Sequence, residues 1–210
     1  MKKIMFNDRY GLMGAVLRGD KTMTRRIVPI DLYNQTDWKA VAEGDLEAVV
    51  DGEGYYHDIR NCGKYRIGEE VAIAQSYETL ANSRYCSELG MMDTPTTFKK
   101  EFCGNGWGNK MFVKAEYMPH RIRITDIKVE RLQDISEEDC LKEGIQEYFP
   151  YIDRNPNDRV RTFQYFRDGK IRHRMSPAPE CFALLIDDIC GNGTWQRNPW
   201  VFAYEFELVR

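Results

Sequence analysis

Apolar residues recur along this chain with two periods, close to two and close to three and a half, and the switches between them mark its elements. Residues 3–6 read as a short strand, after which Asn7 or Asp8 caps a helix reaching Leu17 or Arg18. Leu12, Met13, Val16 and Leu17 have helical spacing and Gly19 ends the helix. Gly11 and Gly14 weaken it, so close packing must hold it. Residues 46–50 and 55–59 flank Asp51-Gly52-Glu53-Gly54 as a hairpin, and Gly68-Glu69-Glu70 turns into a strand over 71–75. Residues 80–110 are loop-like, and 111–115 resume an extended pattern. The clearest strand covers 121–130, where the apolar positions step from Ile122 and Ile124 to Ile127 and Val129. A bulge near Thr125 and Asp126 accommodates that step.

Ser136-Glu137-Glu138-Asp139 then opens a short helix with Cys140 and Leu141 on its buried side and Gly144 as its stop. Arg167-Asp168-Gly169-Lys170 reads as a hairpin turn, and Phe182, Leu185, Ile186 and Ile189 line one face of a helix ended by Gly191. Alternation over 201–208 places Phe202, Tyr204, Phe206 and Leu208 on one side of a closing strand. This order is neither a parallel βαβ series nor a bundle. It predicts an α+β fold, a small mixed β-barrel with helices packed on its openings, as one domain over 1–210 with insertions at about 31–64 and 147–176.

With 210 residues, 42% of them apolar, the chain can fill one core and is not disordered. A net charge of -3 argues against coating nucleic acid non-specifically and leaves room for a local basic pocket. No apolar run is long enough to span a membrane, and the opening Met1-Lys2-Lys3-Ile4-Met5-Phe6-Asn7 breaks off before a signal-peptide core, so the cytoplasm is the expected location. Six cysteines form no Cys-x-x-Cys pair, and His57, His120 and His173 lie at no ligand spacing from them or from one another. Neither a metal nor a cofactor is expected, and the thiols read as reduced and mostly buried.

The stretch that looks least like packing is Gly19-Asp20-Lys21-Thr22-Met23-Thr24-Arg25-Arg26. Thr22 and Thr24 flank Met23, so as a strand both hydroxyls share a face. A phosphate-binding P-loop fails here, because Asp20 separates the second glycine from Lys21-Thr22 and the glycines lie inside and at the end of a helix instead of before one. Two readings stay open. In one, Lys21, its pKa lowered by burial or by Arg25 and Arg26, activates the Thr24 hydroxyl, which requires a turn or bulge between them. In the other, the stretch is a solvated basic turn. Glu143 sits at a helix end whose orphan carbonyls disfavour a carboxylate, a placement that suits an acid or a ligand contact. Tyr77, Trp107, Trp195 and Trp200 offer rings for stacking on a base and equally serve as core or lid residues. No histidine stands in a recognisable nucleophile triad.

The same stretch resembles the Gly-x-Lys-Thr-x-Thr-x-Arg signature of ASCH domains, in the PUA-like superfamily. Tyr65-Arg66-Ile67-Gly68-Glu69-Glu70-Val71, the segment from Met118-Pro119 to Glu143-Gly144-Ile145 and the closing Asn198-Pro199-Trp200-Val201 to Glu205-Phe206 are similar, in order, to further parts of the larger phage- and prophage-borne members. The resemblance implies a PUA-like β-barrel that binds a nucleoside, nucleotide or RNA. One branch of the family hydrolyses the acetyl amide of N(4)-acetylcytidine with a lysine as proton acceptor, a threonine as nucleophile and a glutamate as proton donor, roles that fall on Lys21, Thr24 and Glu143. Ligand contacts are then expected from Thr22, Arg25, Arg26, Gln75, Tyr77 and Trp200. Asp20 stands where many members carry a basic residue, and 72–77 lacks the arginine and glutamate common in prophage-type relatives. A binding module without catalysis, and a phage-derived protein-interaction module using the insertions, are the alternatives.

Overall fold

The structure, a computed structural model, describes residues 1–82, 104–148 and 161–209. Among them the strands are β1 (Lys3–Ile4), β2 (Met23–Ile27), β3 (Glu47–Val50), β4 (Tyr56–Asp58), β5 (Glu70–Ile73), β6 (Arg121–Arg131), β7 (Gln146–Tyr148), β8 (Thr162–Arg167), β9 (Lys170–Met175) and β10 (Trp200–Val209). The α-helices are α1 (Leu12–Arg18), α2 (Ile30–Asn34), α3 (Trp38–Ala42), α4 (Tyr77–Asn82), α5 (Glu137–Lys142), α6 (Ala178–Cys190) and α7 (Thr194–Arg197). The chain divides into two compact units, one of Met1–Phe6, Glu70–Ile122 and Val209–Arg210, the other of Asn7–Glu69 and Arg123–Leu208.

In the smaller unit β1 pairs in parallel with β5, Lys3 opposite Ala72 and Ile4 opposite Ile73. Ala72, Ala74, Tyr77, Leu80, Val113 and Met118 form its core, with Trp107 and Ala115 packed against it. The extended pattern expected over 111–115 is not realised. Two 3-10 turns, Lys110–Phe112 and Ala115–Tyr117, occupy that region, and the Lys3 ammonium donates to the Met111 and Val113 carbonyls at 2.6 Å. A lysine two residues from the chain start satisfies carbonyls more than a hundred positions away, a pairing that local periodicity does not carry.

In the larger unit β10 lies between β6 and β2. It pairs antiparallel with β2 in the register Phe202 with Arg26, Ala203 with Arg25, Tyr204 with Thr24 and Glu205 with Met23. Because β2 ends this order, the described strands do not close into the expected barrel, and the architecture is α+β with open sheets. The expected stop of α1 is present, whereas the expected cap falls on a 3-10 turn before it and α1 itself has no side-chain cap. The Asn7 side chain accepts from Arg9 N and Gly19 ends the helix at φ 85, but Gly11 at φ 68 splits the segment into a 3-10 turn and a seven-residue helix. The hairpin at 51–54 is present between β3 and β4, whereas α2 and α3 were not legible, being five residues each.

The segment expected as a second polar insertion contributes to the core. Its hairpin turns at Asp168 and Gly169, both at positive φ as a two-residue turn between twisted strands requires. Phe163 and Tyr165 of β8 are fully buried, and α6 packs on β8, β9 and α5. Residues 149–160 of that segment and much of the expected 80–110 loop lie outside the described residues.

Cys140 on α5 and Cys181 on α6 are buried free thiols, and Cys190 at the end of α6 is exposed; Cys86 and Cys103 lie outside the described residues. Burial pushes the Cys140 and Cys181 thiols up to about 12. At pH 8 only about one in ten thousand of each is then thiolate, the reactive form. Iodoacetamide at pH 8 is expected to label Cys190 in the folded protein and to spare Cys140 and Cys181 until urea is added, as read by peptide mass spectrometry. Prompt labelling of Cys140 without denaturant would contradict this packing.

Candidate functional site

All of the residues that converge here belong to the larger unit. Successive side chains on a strand point to opposite faces, so β2 sorts the basic stretch into two sets. Met23 and Arg25 share one face, as the 3.4 Å approach of Arg25 Nη1 to Met23 Sδ shows. Thr24 and Arg26 share the other, beside their cross-strand partners Tyr204 and Phe202. Thr22, just before the strand, stays in register through Phe206 N–H, which donates to its carbonyl at 2.8 Å.

The first face meets the C-terminal end of α5. Ser136 caps the start of this helix by accepting from Asp139 N, and Gly144 at φ 101 turns the chain away after it. The turn leaves carbonyls without helical partners. Thr22 N–H donates to the Lys142 carbonyl at 2.9 Å, and Lys21 Nζ donates to the Glu143 carbonyl at 2.7 Å. The same ammonium donates to Glu143 Oε2 and to the Met23 carbonyl, both at 2.6 Å. A Cβ on Gly144 would lie 3.2 Å from Leu12 and 3.6 Å from the Lys21 stem, so only glycine gives this turn both its conformation and its room.

Glu143 joins two cations, since its Oε1 accepts from Arg25 Nη1 at 3.2 Å. The remaining guanidinium donors of Arg25 reach Glu130 Oε1 at 2.6 and 3.0 Å and Asp139 Oδ2 at 2.9 Å. Lys128 stands 3.7 Å from Asp139, and the Phe182 ring covers the guanidinium at 6.0 Å. Lys21, Arg25 and Lys128 balance Glu130, Asp139 and Glu143 in charge. Burial works against the Arg25 charge, but the carboxylates, Glu143 first and then Glu130, outweigh it and raise the pKa.

Burial pushes the Lys21 pKa below the ordinary lysine value, with Glu143 opposing the shift and Arg26 and Arg25 adding to it. Its hydrogen bonds nevertheless identify the charged form. All three partners are acceptors, and only an ammonium has an N–H for each. In this arrangement Lys21 has no lone pair with which to take a proton.

The structure thus brings Lys21, Glu143 and Arg25 together and directs Thr24 to the opposite face. Thr24 is 4% exposed, and its hydroxyl makes no hydrogen bond among the described residues. Arg26 is exposed and Thr22 half-buried. Trp200 is buried with one ring face covered by Trp38, centroids 4.7 Å apart, and Arg131 4.6 Å over its ring. It therefore offers no stacking surface for a base, and its Nε1 is buried without a hydrogen-bond partner among the described residues. Trp195 packs edge-on against Phe182. Gln75 and Tyr77 belong to the smaller unit, where Gln75 Oε1 is a buried acceptor without a partner among the described residues and Tyr77 OH accepts from Lys114 N at 2.9 Å.

Glu130 and Asp139 were not anticipated. The only signals for them were the shift in apolar phase along β6 and an acid in the first turn of α5, and neither reveals that both carboxylates meet one arginine. A cavity of about 470 Å³ elsewhere in the unit is lined by Asn34, Gln35, Thr36, Val50, Asp51 and Gly52, none of them an expected site residue. No helix among the described residues is long and apolar enough to cross a membrane, and no group of three or more His, Cys, Asp or Glu among them is arranged to hold a metal. In comparisons with known proteins, no family model, no curated protein and no solved structure matches the chain.

Proposed function

We propose that the chain is a PUA-like protein of the ASCH type that binds a nucleoside, nucleotide or RNA without hydrolysing it. The observation that carries this reading is the state of Lys21. It meets Glu143, as the resemblance implies, yet all three of its N–H groups are spent on acceptors, which suits a residue that fixes β2 against α5 and not one that accepts a proton. A Thr24 nucleophile would need a base on its own side of the strand.

A second reading, hydrolysis of N(4)-acetylcytidine, is favoured by the Thr24 hydroxyl, which makes no hydrogen bond among the described residues, and requires Lys21 to leave its carbonyl partners when substrate arrives. Incubation with N(4)-acetylcytidine, followed by chromatography for cytidine, separates the two. The expected result is no cytidine release, together with saturable quenching of tryptophan fluorescence by cytidine, a cytidine nucleotide or a short RNA. Release that disappears in Thr24→Ala would establish the hydrolase. Absence of binding to all three ligands up to about 1 mM, with no cytidine release, would overturn both readings.

A further inference from the structure

The face of β2 that carries Thr24 and Arg26 has a neighbour that the ionic network does not involve. The 63–66 loop lies over the cross-strand partners Phe202 and Tyr204. Gly63 sits so close that a Cβ there would stand 2.5 Å from the Tyr204 hydroxyl and 3.3 Å from the Phe202 ring, and Lys64 N–H donates to that hydroxyl at 3.0 Å. Tyr65 packs edge-on against Tyr204 with centroids 5.2 Å apart, and Lys64 Nζ lies 5.4 Å from the Tyr65 ring. Arg66 Nη1 is held by the Gly63 and Tyr65 carbonyls, which fixes the guanidinium beside the loop.

Cations gather around these two tyrosines. Arg26, Lys64 and Arg66 are all exposed, and Arg26 and Arg66 both act on the Tyr204 phenol from opposite segments of chain. Glu69 Oε2 accepts from Arg66 N–H at 3.0 Å. The exposure of these cations contrasts with the buried ionic network on the other side of the strand. Thr24, the cross-strand partner of Tyr204, is more than nine-tenths buried, and its hydroxyl makes no hydrogen bond among the described residues.

We infer that this face, with Thr24 and Arg26 from β2 and Lys64 and Arg66 from the 63–66 loop, is an anion subsite that takes a phosphate group of the ligand. The inference rests on the nucleotide- or RNA-binding reading and narrows it to phosphorylated ligands. The Gly63 and Tyr65 carbonyls hold the Arg66 guanidinium, so this cation is arranged before the ligand arrives, and the Thr24 hydroxyl supplies a neutral donor to a phosphate oxygen. The carboxylates of the opposite face keep Lys21 and Arg25 out of this role.

The test compares the wild-type chain with Lys64→Ala/Arg66→Ala, both exposed positions, by titrating cytidine, cytidine 5′-monophosphate and an eight-nucleotide RNA, and by thermal shift with inorganic phosphate against chloride at equal ionic strength. Wild type is expected to bind the monophosphate at least about tenfold more tightly than cytidine. The double variant should lose that advantage with cytidine affinity unchanged, and its RNA salt slope should fall by about 1 to 2. Phosphate should raise the wild-type Tm more than chloride and lose this effect in the variant. Monophosphate preference and phosphate stabilisation that both persist in the variant would overturn the subsite. Phosphate stabilisation that depends on Lys64 and Arg66, in a chain that binds no cytidine ligand, would support the subsite and count against the nucleoside reading alone.

Discussion

Glu143→Ala is expected to destabilise the protein by about 3–5 kcal/mol, because it leaves two buried cations facing each other. Glu143 bridges Lys21 at 2.6 Å and Arg25 at 3.2 Å, with both cationic side chains 1% exposed. Losing one carboxylate removes a partner from each and lets their repulsion act at low local dielectric. The pair itself gives little net stability, since burying the charges opposes their attraction. Removing both members should therefore do less harm than removing one. Lys21→Met/Glu143→Leu is expected to recover a good part of the loss, although the Met23 and Glu143 carbonyls would lose their donor. Urea unfolding midpoints of the wild type, the single variant and the double variant decide this. A single variant within about 1 kcal/mol of wild type would mean that solvent already reaches the network.

Gly63→Ala should be the next most damaging change, at about 2–4 kcal/mol from overpacking plus a displaced hydrogen bond. The added Cβ would meet the Tyr204 hydroxyl at 2.5 Å, and Tyr204 is 1% exposed. Removing that oxygen should relieve much of the clash. In a double-mutant cycle, Gly63→Ala is expected to cost at least about 1 kcal/mol less in a Tyr204→Phe background than in the wild type. Purely additive effects would place the strain elsewhere, for instance against the Phe202 ring at 3.3 Å. The same loop carries Lys64 and Arg66, so Gly63→Ala should also weaken the proposed phosphate preference without removing a charge.

Both predictions come from one property of β2. A strand alternates its side chains, and here the two faces have opposite electrostatic characters. The Arg25 side is closed by α5 and Phe182 and is neutral overall. On the Arg26 side lie exposed cations and the Thr24 hydroxyl, which makes no hydrogen bond among the described residues. A basic stretch that looks uniform in sequence is thus divided into a buried structural half and a half that the proposed subsite uses. Lys21, one residue short of Thr22 and before the strand, goes with the structural half because the unpaired carbonyls at the end of α5 bind its ammonium.

By itself the sequence determined the local features. Asn7 and Ser136 as caps, Gly19, Gly144 and Gly191 as stops, the turns at 51–54 and 168–169, and the two long strands β6 and β10 all follow from interactions within a few residues, which spacing and turn chemistry encode directly. It also singled out Lys21, Thr24, Arg25, Arg26 and Glu143. Only the tertiary structure decided what these residues do together. Whether a buried lysine keeps its proton depends on carbonyls at 2.6 and 2.7 Å, one of them from a residue 122 positions away. Whether Trp200 can stack depends on Trp38 and Arg131 having already covered it. The open sheets in place of a barrel, the burial of β8 and the pairing of Arg25 with Glu130 and Asp139 are likewise contacts between distant segments. Periodicity says which face of an element is covered, and the fold alone says by what.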